Sequence, residues 1–140
     1  MRLIFADAFY WIALANPRDE WHSAAMRIGQ SFGPHRLYTT DEVLVEFLAF
    51  FSGFGAPMRT TVAQLVRDIL AQPQIVVLPQ SRDTLLEGLQ LYETRPDKQY
   101  SLTDCISMAA MRRLGLQEVL THDDHFRQEG FLILLTDKTS

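Results

Sequence analysis

The apolar positions of this 140-residue chain follow two rhythms. One is the short unbroken run: Leu3-Ile4-Phe5-Ala6, Ile75-Val76-Val77-Leu78 and the pair Val119-Leu120. Runs of that length, bounded by polar or turn residues, read as strands buried on both faces. The other rhythm repeats every three or four residues. It carries Trp21, Ala24, Ala25 and Ile28, then Val43, Leu44, Phe47, Leu48 and Phe51. It returns with Val62, Leu65, Val66, Ile69 and Leu70, and again with Leu85, Leu86 and Leu89. Each set forms the buried stripe of an amphipathic helix.

The pattern predicts strands over residues 3–6, 36–39, 75–78, 118–121 and 131–135. A helix is expected over 8–15, ended by Asn16-Pro17, and another over 19–30. Thr40 or Asp41 caps the next helix, which Gly53, Gly55 and Pro57 break. A further helix spans 60–71 and stops at Pro73, and Ser81 caps the one after it. Ser101 and Asp104 form a capping box for a central helix that ends at Gly115. Asp124 is expected to cap a short helix starting at His125. Short apolar strands alternating with helices imply an α/β protein whose parallel sheet is covered on both faces. No repeat, low-complexity tract or linker divides the chain, so 1–140 is expected to be one domain.

Composition changes this picture little. Apolar residues make up 47% and charged residues 21%, as in ordinary globular proteins. The net charge of −4 argues against a broad basic surface for nucleic acid. It leaves room for a local basic rim around an acidic, metal-filled site. The single cysteine, Cys105, excludes a disulfide framework within the chain and points to a reducing compartment. Arg2, the first apolar run and Ala13-Leu14-Ala15 have the outline of a signal peptide, but Asp7 interrupts it and Tyr10 and Trp11 crowd it. No apolar run approaches the ~20 residues that span a bilayer. A cytoplasmic location without membrane contact is the expectation.

The candidate chemistry lies in four acids. In open α/β sheets, sites form outside the carboxyl ends of the strands. Asp7 and Asp123 each follow a predicted strand, Glu46 lies two turns into a helix that follows one, and Asp104 is in the first turn of the central helix. All four can reach one edge of the sheet. Two charges ~4 Å apart repel by roughly 1 kcal/mol in water and ~4 kcal/mol at an effective dielectric near 20. A hard divalent cation such as Mg²⁺ or Mn²⁺ removes that penalty, and metal-assisted attack of water on a phosphodiester is the chemistry that follows. Each acid also has a plainer reading. Asp7 suits a helix cap, Asp104 the capping box alone, Glu46 a solvated helix face and Asp123 a turn.

Four segments carry a resemblance. IFADAFYWIAL, TTDEVLVEFL around Glu46, SLTDCISMAAMRRLGL around Asp104, and THDDHF with its following Gly130-Phe131 resemble the PIN domain. The likeness is strongest to the toxin component of VapBC-type toxin–antitoxin pairs. The segments run from end to end, and the order Asp, Glu, Asp, Asp with a T-x-D-x-x-F ending is specific only in combination. The resemblance implies a three-layer α/β/α fold around a parallel sheet of about five short strands. It implies a metal-dependent endoribonuclease in which Asp7, Glu46, Asp104 and Asp123 bind Mg²⁺ (or Mn²⁺) and carry catalysis. It also implies an RNA substrate, a small VapB-like antitoxin and a homodimer. Ala8 departs from the Ser or Thr that often follows the first Asp, leaving Thr103 and Thr39 or Thr40 as polar neighbours. A housekeeping RNA-processing PIN nuclease without an antitoxin, and a PIN binding module that no longer cuts, are the alternatives. Retention of all four acids argues against the second.

Other motifs fail on context. His122-Asp123 matches the HD dipeptide of all-helical phosphohydrolases, but apolar strands flank it here. Asp7 after a strand is similar to haloacid-dehalogenase phosphatases, whose second acid would fall at Phe9. His22 and His35 read as surface residues; among the histidines only His122 and His125 have a tight zinc-like spacing, and Cys105 has no partner. Phe47, Phe50, Phe51 and Phe54 exceed one core stripe, which leaves an exposed apolar patch for a dimer or partner. Arg95, Lys98, Arg112 and Arg113 form either a solvated face or contacts to RNA phosphates.

Overall fold

The computed structural model describes residues 1–139. Its strands are β1 (Arg2–Ala6), β2 (His35–Thr40), β3 (Ile75–Leu78), β4 (Glu118–Leu120) and β5 (Leu132–Ile133). All neighbours pair parallel, in the order β3-β2-β1-β4-β5. The chain therefore builds outward from β1 in one direction and then crosses to its other side. The crevice between the ends of β1 and β4 is the switch point where such sheets hold ligands. Helices α1 (Ala8–Ala15), α2 (His22–Gly29), α3 (Asp41–Phe50), α4 (Ala56–Ala71), α5 (Arg82–Thr94), α6 (Leu102–Leu114) and α7 (Asp124–Gln128) complete the α/β fold. No described helix is long and apolar enough to cross a membrane.

The carboxyl-terminal halves of β1 and β4 are apolar and fully buried because helices cover both faces of the sheet there. Ile4, Phe5, Val119 and Leu120 are fully buried, as are Val43 and Phe47 of α3, Met108 and Met111 of α6 and Phe126 of α7. Each such large side chain contributes about 1.5–3 kcal/mol by leaving water. Helices α5 and α6 meet at Gly88. A methyl group there would stand 2.4 Å from Ile106 Cγ1 and 3.1 Å from the Ile106 backbone.

Most boundaries follow the sequence cues. The Thr40 hydroxyl accepts from the Val43 amide, so Thr40 rather than Asp41 is the cap of α3. Ser81 and Ser101 both form capping boxes, and Gly115 ends α6 with φ 71°. Three boundaries differ. Helix α4 starts at Ala56, before the expected residue 60, because Pro57 sits in its first turn, where a missing N–H costs nothing. Helix α2 starts at His22, because Asp19 Oδ1 accepts from the Trp21 amide at 2.8 Å in the turn before it. Strand β5 is only Leu132–Ile133, although Leu134 and Leu135 still donate to Val119 O and Thr121 O.

Candidate active site

Asp7 is the first residue after β1 and stands at the N-cap of α1, yet its side chain makes no capping bond. Its Oδ2 instead accepts from the Thr121 hydroxyl at 3.0 Å. Asp7 is 4% exposed. Burial pushes its carboxyl up to about 7, and Asp104 and Glu46 push the same way against the Thr121 bond.

Asp104 occupies the third position of α6. Its amide donates to Ser101 Oγ at 3.0 Å, and its Oδ2 accepts from the Ser101 amide at 3.2 Å. The capping-box role is therefore real. The same Oδ2 also accepts from His125 Nδ1 at 3.2 Å. Burial raises the Asp104 carboxyl above its ordinary range, and Asp123 adds to the rise.

Asp123 follows β4 by way of Thr121 and His122. Its amide donates to Thr121 Oγ1 at 3.1 Å, and its Oδ1 accepts from the His125 amide at 3.0 Å. This bond makes Asp123 the N-cap of α7 and corrects the assignment of that role to Asp124. The helix starts one residue earlier than expected, so Asp124 falls in its first turn. There it is exposed and pairs with Arg127 and Gln128. Glu46 is half-buried on α3. Burial raises its carboxyl, and Asp104 and Asp123 raise it further.

The four acids thus oppose one another electrostatically, and a tighter group lies among them. Asp104, Asp123 and His125 each place a potential ligand atom within 4.8 Å of the others. While it donates to Asp104, the His125 nitrogen has no lone pair to give a cation, so the imidazole orients the carboxylate. Asp104 spends Oδ2 on both of its bonds and Asp123 spends Oδ1, which leaves the other oxygen of each for a ligand. Oxygen donors that mutually resist ionisation fit a hard divalent cation.

Several supporting residues escaped sequence reasoning. His125 joins the cluster through the capping register of α7, which the sequence left one residue off. Thr121, rather than the polar neighbours Thr103, Thr39 or Thr40, bonds the Asp7 carboxyl. The Thr39 hydroxyl is instead bound to Ala6 O. Glu129, its side chain 4% exposed, accepts from Arg95 and Tyr100 and pairs with Arg112 at 2.6 Å. Burial pushes the Glu129 carboxyl up, but the bonds from Arg95 and Arg112 outweigh it and hold it below its ordinary range. The Tyr100 ring then packs on His125 at 5.4 Å. His22 and His35, expected at the surface, are half-buried and bound to the carbonyls of Ala13 and Gly33.

A PIN domain family model matches residues 4–132, which include all four acids. The 23S rRNA-specific endonuclease VapC20 of Mycobacterium tuberculosis is 26% identical over 130 residues, covering 93% of this chain and 96% of the relative. A crystal structure of that organism's VapC20, described as a sarcin-ricin loop cleaving toxin, matches with TM-score 0.84 over 95% of this chain and 99% of that one. FitAcB from Neisseria gonorrhoeae matches with TM-score 0.68 at 14% identity, covering 94% and 96% of the two chains. VapBC-1 from nontypeable Haemophilus influenzae matches with TM-score 0.63 at 17% identity, covering 99% of each. At those identities the last two speak for the fold alone. From β1 through the first residue of β5, and across every acid of the crevice, this chain belongs to the PIN domain family.

Proposed function

We propose that this chain is a metal-dependent endoribonuclease that cleaves RNA phosphodiesters with activated water, as the toxin of a type II toxin–antitoxin pair. The observation that carries the reading is the meeting of Asp104 and Asp123 at the switch point, coupled by charge to the buried Asp7 and to Glu46. The similarity to VapC20, named as an rRNA endonuclease and a toxin, supports the same class of activity. RNA is the substrate class assigned here.

Asp7, Glu46, Asp104 and Asp123 would hold Mg²⁺ or Mn²⁺. A bound cation of that kind polarises a phosphate oxygen and lowers the proton affinity of water. The chain's own residues do the rest. Thr121 fixes the rotamer of Asp7, and His125 fixes that of Asp104. Glu129 locks the segment that carries His125. We read 1–140 as a single domain acting in the cytoplasm. A small VapB-like antitoxin is the neutralising partner that a toxin requires. Phe50 and Phe54, about half exposed beside the buried Phe47 and Phe51, support a homodimer.

The test is cleavage of a looped RNA by the purified chain. Products should bear a 5′-phosphate and a 3′-hydroxyl, and should form only with Mg²⁺ or Mn²⁺. Cleavage in excess chelator, or a 2′,3′-cyclic phosphate end, overturns the mechanism. A chain that arrests growth when expressed alone, and not as Asp7→Asn, supports the toxin role. Equal arrest by both removes it.

A further inference from the structure

We infer that His122, backed by Trp21, is a stacking shelf for an unpaired nucleobase of the RNA beside the acid cluster. The inference rests on the ribonuclease reading and names a substrate contact within it.

His122 is exposed, yet its imidazole is held on three sides. The ring lies on the Trp21 indole, with centroids 4.3 Å apart and planes 32° from parallel. Trp21 is itself buried and held edge-on by Phe9 at 5.7 Å. Phe9 reaches the His122 ring at 6.2 Å. His122 Nδ1 donates to Leu135 O at 2.6 Å, which fixes the rotation of the ring. An exposed histidine is ordinarily free to change rotamer. Here its ordering has already occurred on folding, so a ligand that stacks on it loses little entropy in the process.

The place is as specific as the geometry. His122 immediately precedes Asp123, and Phe9 is two residues beyond Asp7. His122 and Phe9 thus stand one and two residues along the chain from an acid of the crevice. It stands at the carboxyl edge of the sheet, where β4 and the segment after β5 end. Charge points the same way. At −4 the chain is poor in the phosphate attraction that drives most nucleic-acid binding. Base–aromatic stacking supplies affinity without positive charge, and it tolerates any base because every base has a π-face. An unpaired base next to the scissile phosphate fits this shelf, whereas a base inside a duplex has no free face to offer.

Two substitutions separate stacking from a structural role. Histidine→asparagine at this position, His122→Asn, keeps a donor for Leu135 O and removes the ring. His122→Phe keeps a flat ring and removes the donor. Binding of a short single-stranded RNA of mixed sequence is measured on the full chain in chelator, and KM and kcat are measured with Mg²⁺ or Mn²⁺. His122→Asn and His122→Ala should weaken binding and raise KM by about 5- to 100-fold, the range of base stacking. His122→Phe should stay within about twofold of wild type, and kcat should move little in all three. Wild-type binding by His122→Asn, or equal loss in His122→Phe and His122→Ala, overturns the shelf. Ring-dependent RNA binding by a chain that never cleaves sinks the ribonuclease reading and leaves the shelf standing. Metal-dependent cleavage with KM unmoved in His122→Ala does the reverse, and a wild-type chain that binds no RNA overturns both.

Discussion

Thr121 donates its hydroxyl proton to Asp7 Oδ2 at 3.0 Å and accepts from the Asp123 amide at 3.1 Å. One fully buried hydroxyl thus ties the acid that ends β1 to the acid beyond β4. The crevice is closed by a side chain that carries no charge. The acids it joins are then free to face a ligand instead of each other.

The buried state of Asp7 makes stability depend on pH. Its carboxyl stands near 7, first through burial and then through Asp104. A carboxyl raised on folding stabilises the fold fully only below its unfolded value near 4, and that contribution is lost as pH rises through the folded value. In chelator, the wild-type melting temperature should fall relative to Asp7→Asn between about pH 4 and pH 7, with an upper bound of about 4 kcal/mol. Added Mg²⁺ or Mn²⁺ should restore the wild type more than the variant. Parallel melting curves across that range count against the assignment.

His125→Ala removes the Nδ1 donor from Asp104 and the ring that Tyr100 packs on. Metal affinity or turnover should fall about 10- to 100-fold, as for other residues that orient carboxylate ligands. The amide of residue 125 still caps on Asp123, so the fold should persist. Calorimetric metal titration and initial rates read the two effects separately. An unchanged affinity and rate would show that the imidazole is a bystander.

Asp123 and Asp124 are adjacent and should behave oppositely. Asparagine caps a helix about as well as aspartate, so Asp123→Asn should keep thermal stability while losing metal affinity and activity. Asp123→Ala should lose both, with about 0.5–2 kcal/mol from the missing cap. Asp124→Ala removes only exposed pairings with Arg127 and Gln128 and should stay close to wild type. An inactive Asp124→Ala beside an active Asp123→Asn would show that the loop register is misassigned.

Glu129→Gln breaks the charge that holds Arg95 and Arg112 together. The cost should be about 1–3 kcal/mol at neutral pH. The Glu129 carboxyl is held low despite its burial, so its contribution is present above its unfolded value and is lost as pH falls through the folded one. The gap between wild type and variant, read from denaturant midpoints, should therefore close below about pH 4. A constant gap would mean that Glu129 acts through shape rather than charge.

Much of the arrangement is legible in the sequence because local rules set it. The Ser101–Asp104 box, the Thr40 cap and the Gly115 stop each depend on neighbours within a few residues. The unbroken runs at β1 and β3 reflect cover on both faces, which periodicity reports directly. What escapes is non-local or hangs on one residue of register. Pro57 reads as a break or as a first-turn residue with equal ease, and the choice depends on where Gly55 turns the chain. Asp123 and Asp124 are both good caps, and the bond that the Asp123 amide donates to Thr121 Oγ1 helps select the first. Glu129 meets Arg95, Tyr100 and Arg112 across gaps of 34, 29 and 17 residues, beyond any pattern along the chain.

Gly88 carries a consequence for how sequences of this kind are judged. It sits on α5, which carries none of the four acids of the crevice, yet Ile106, the residue it must admit, is two positions from Asp104. A side chain there would lever the start of α6 out of place, and a carboxylate with it. Inventories of active-site residues would score such a chain as intact. Degenerate members of the family can thus keep all four acids and still lose their arrangement, and the lesion to look for is an alanine on the back of a neighbouring helix.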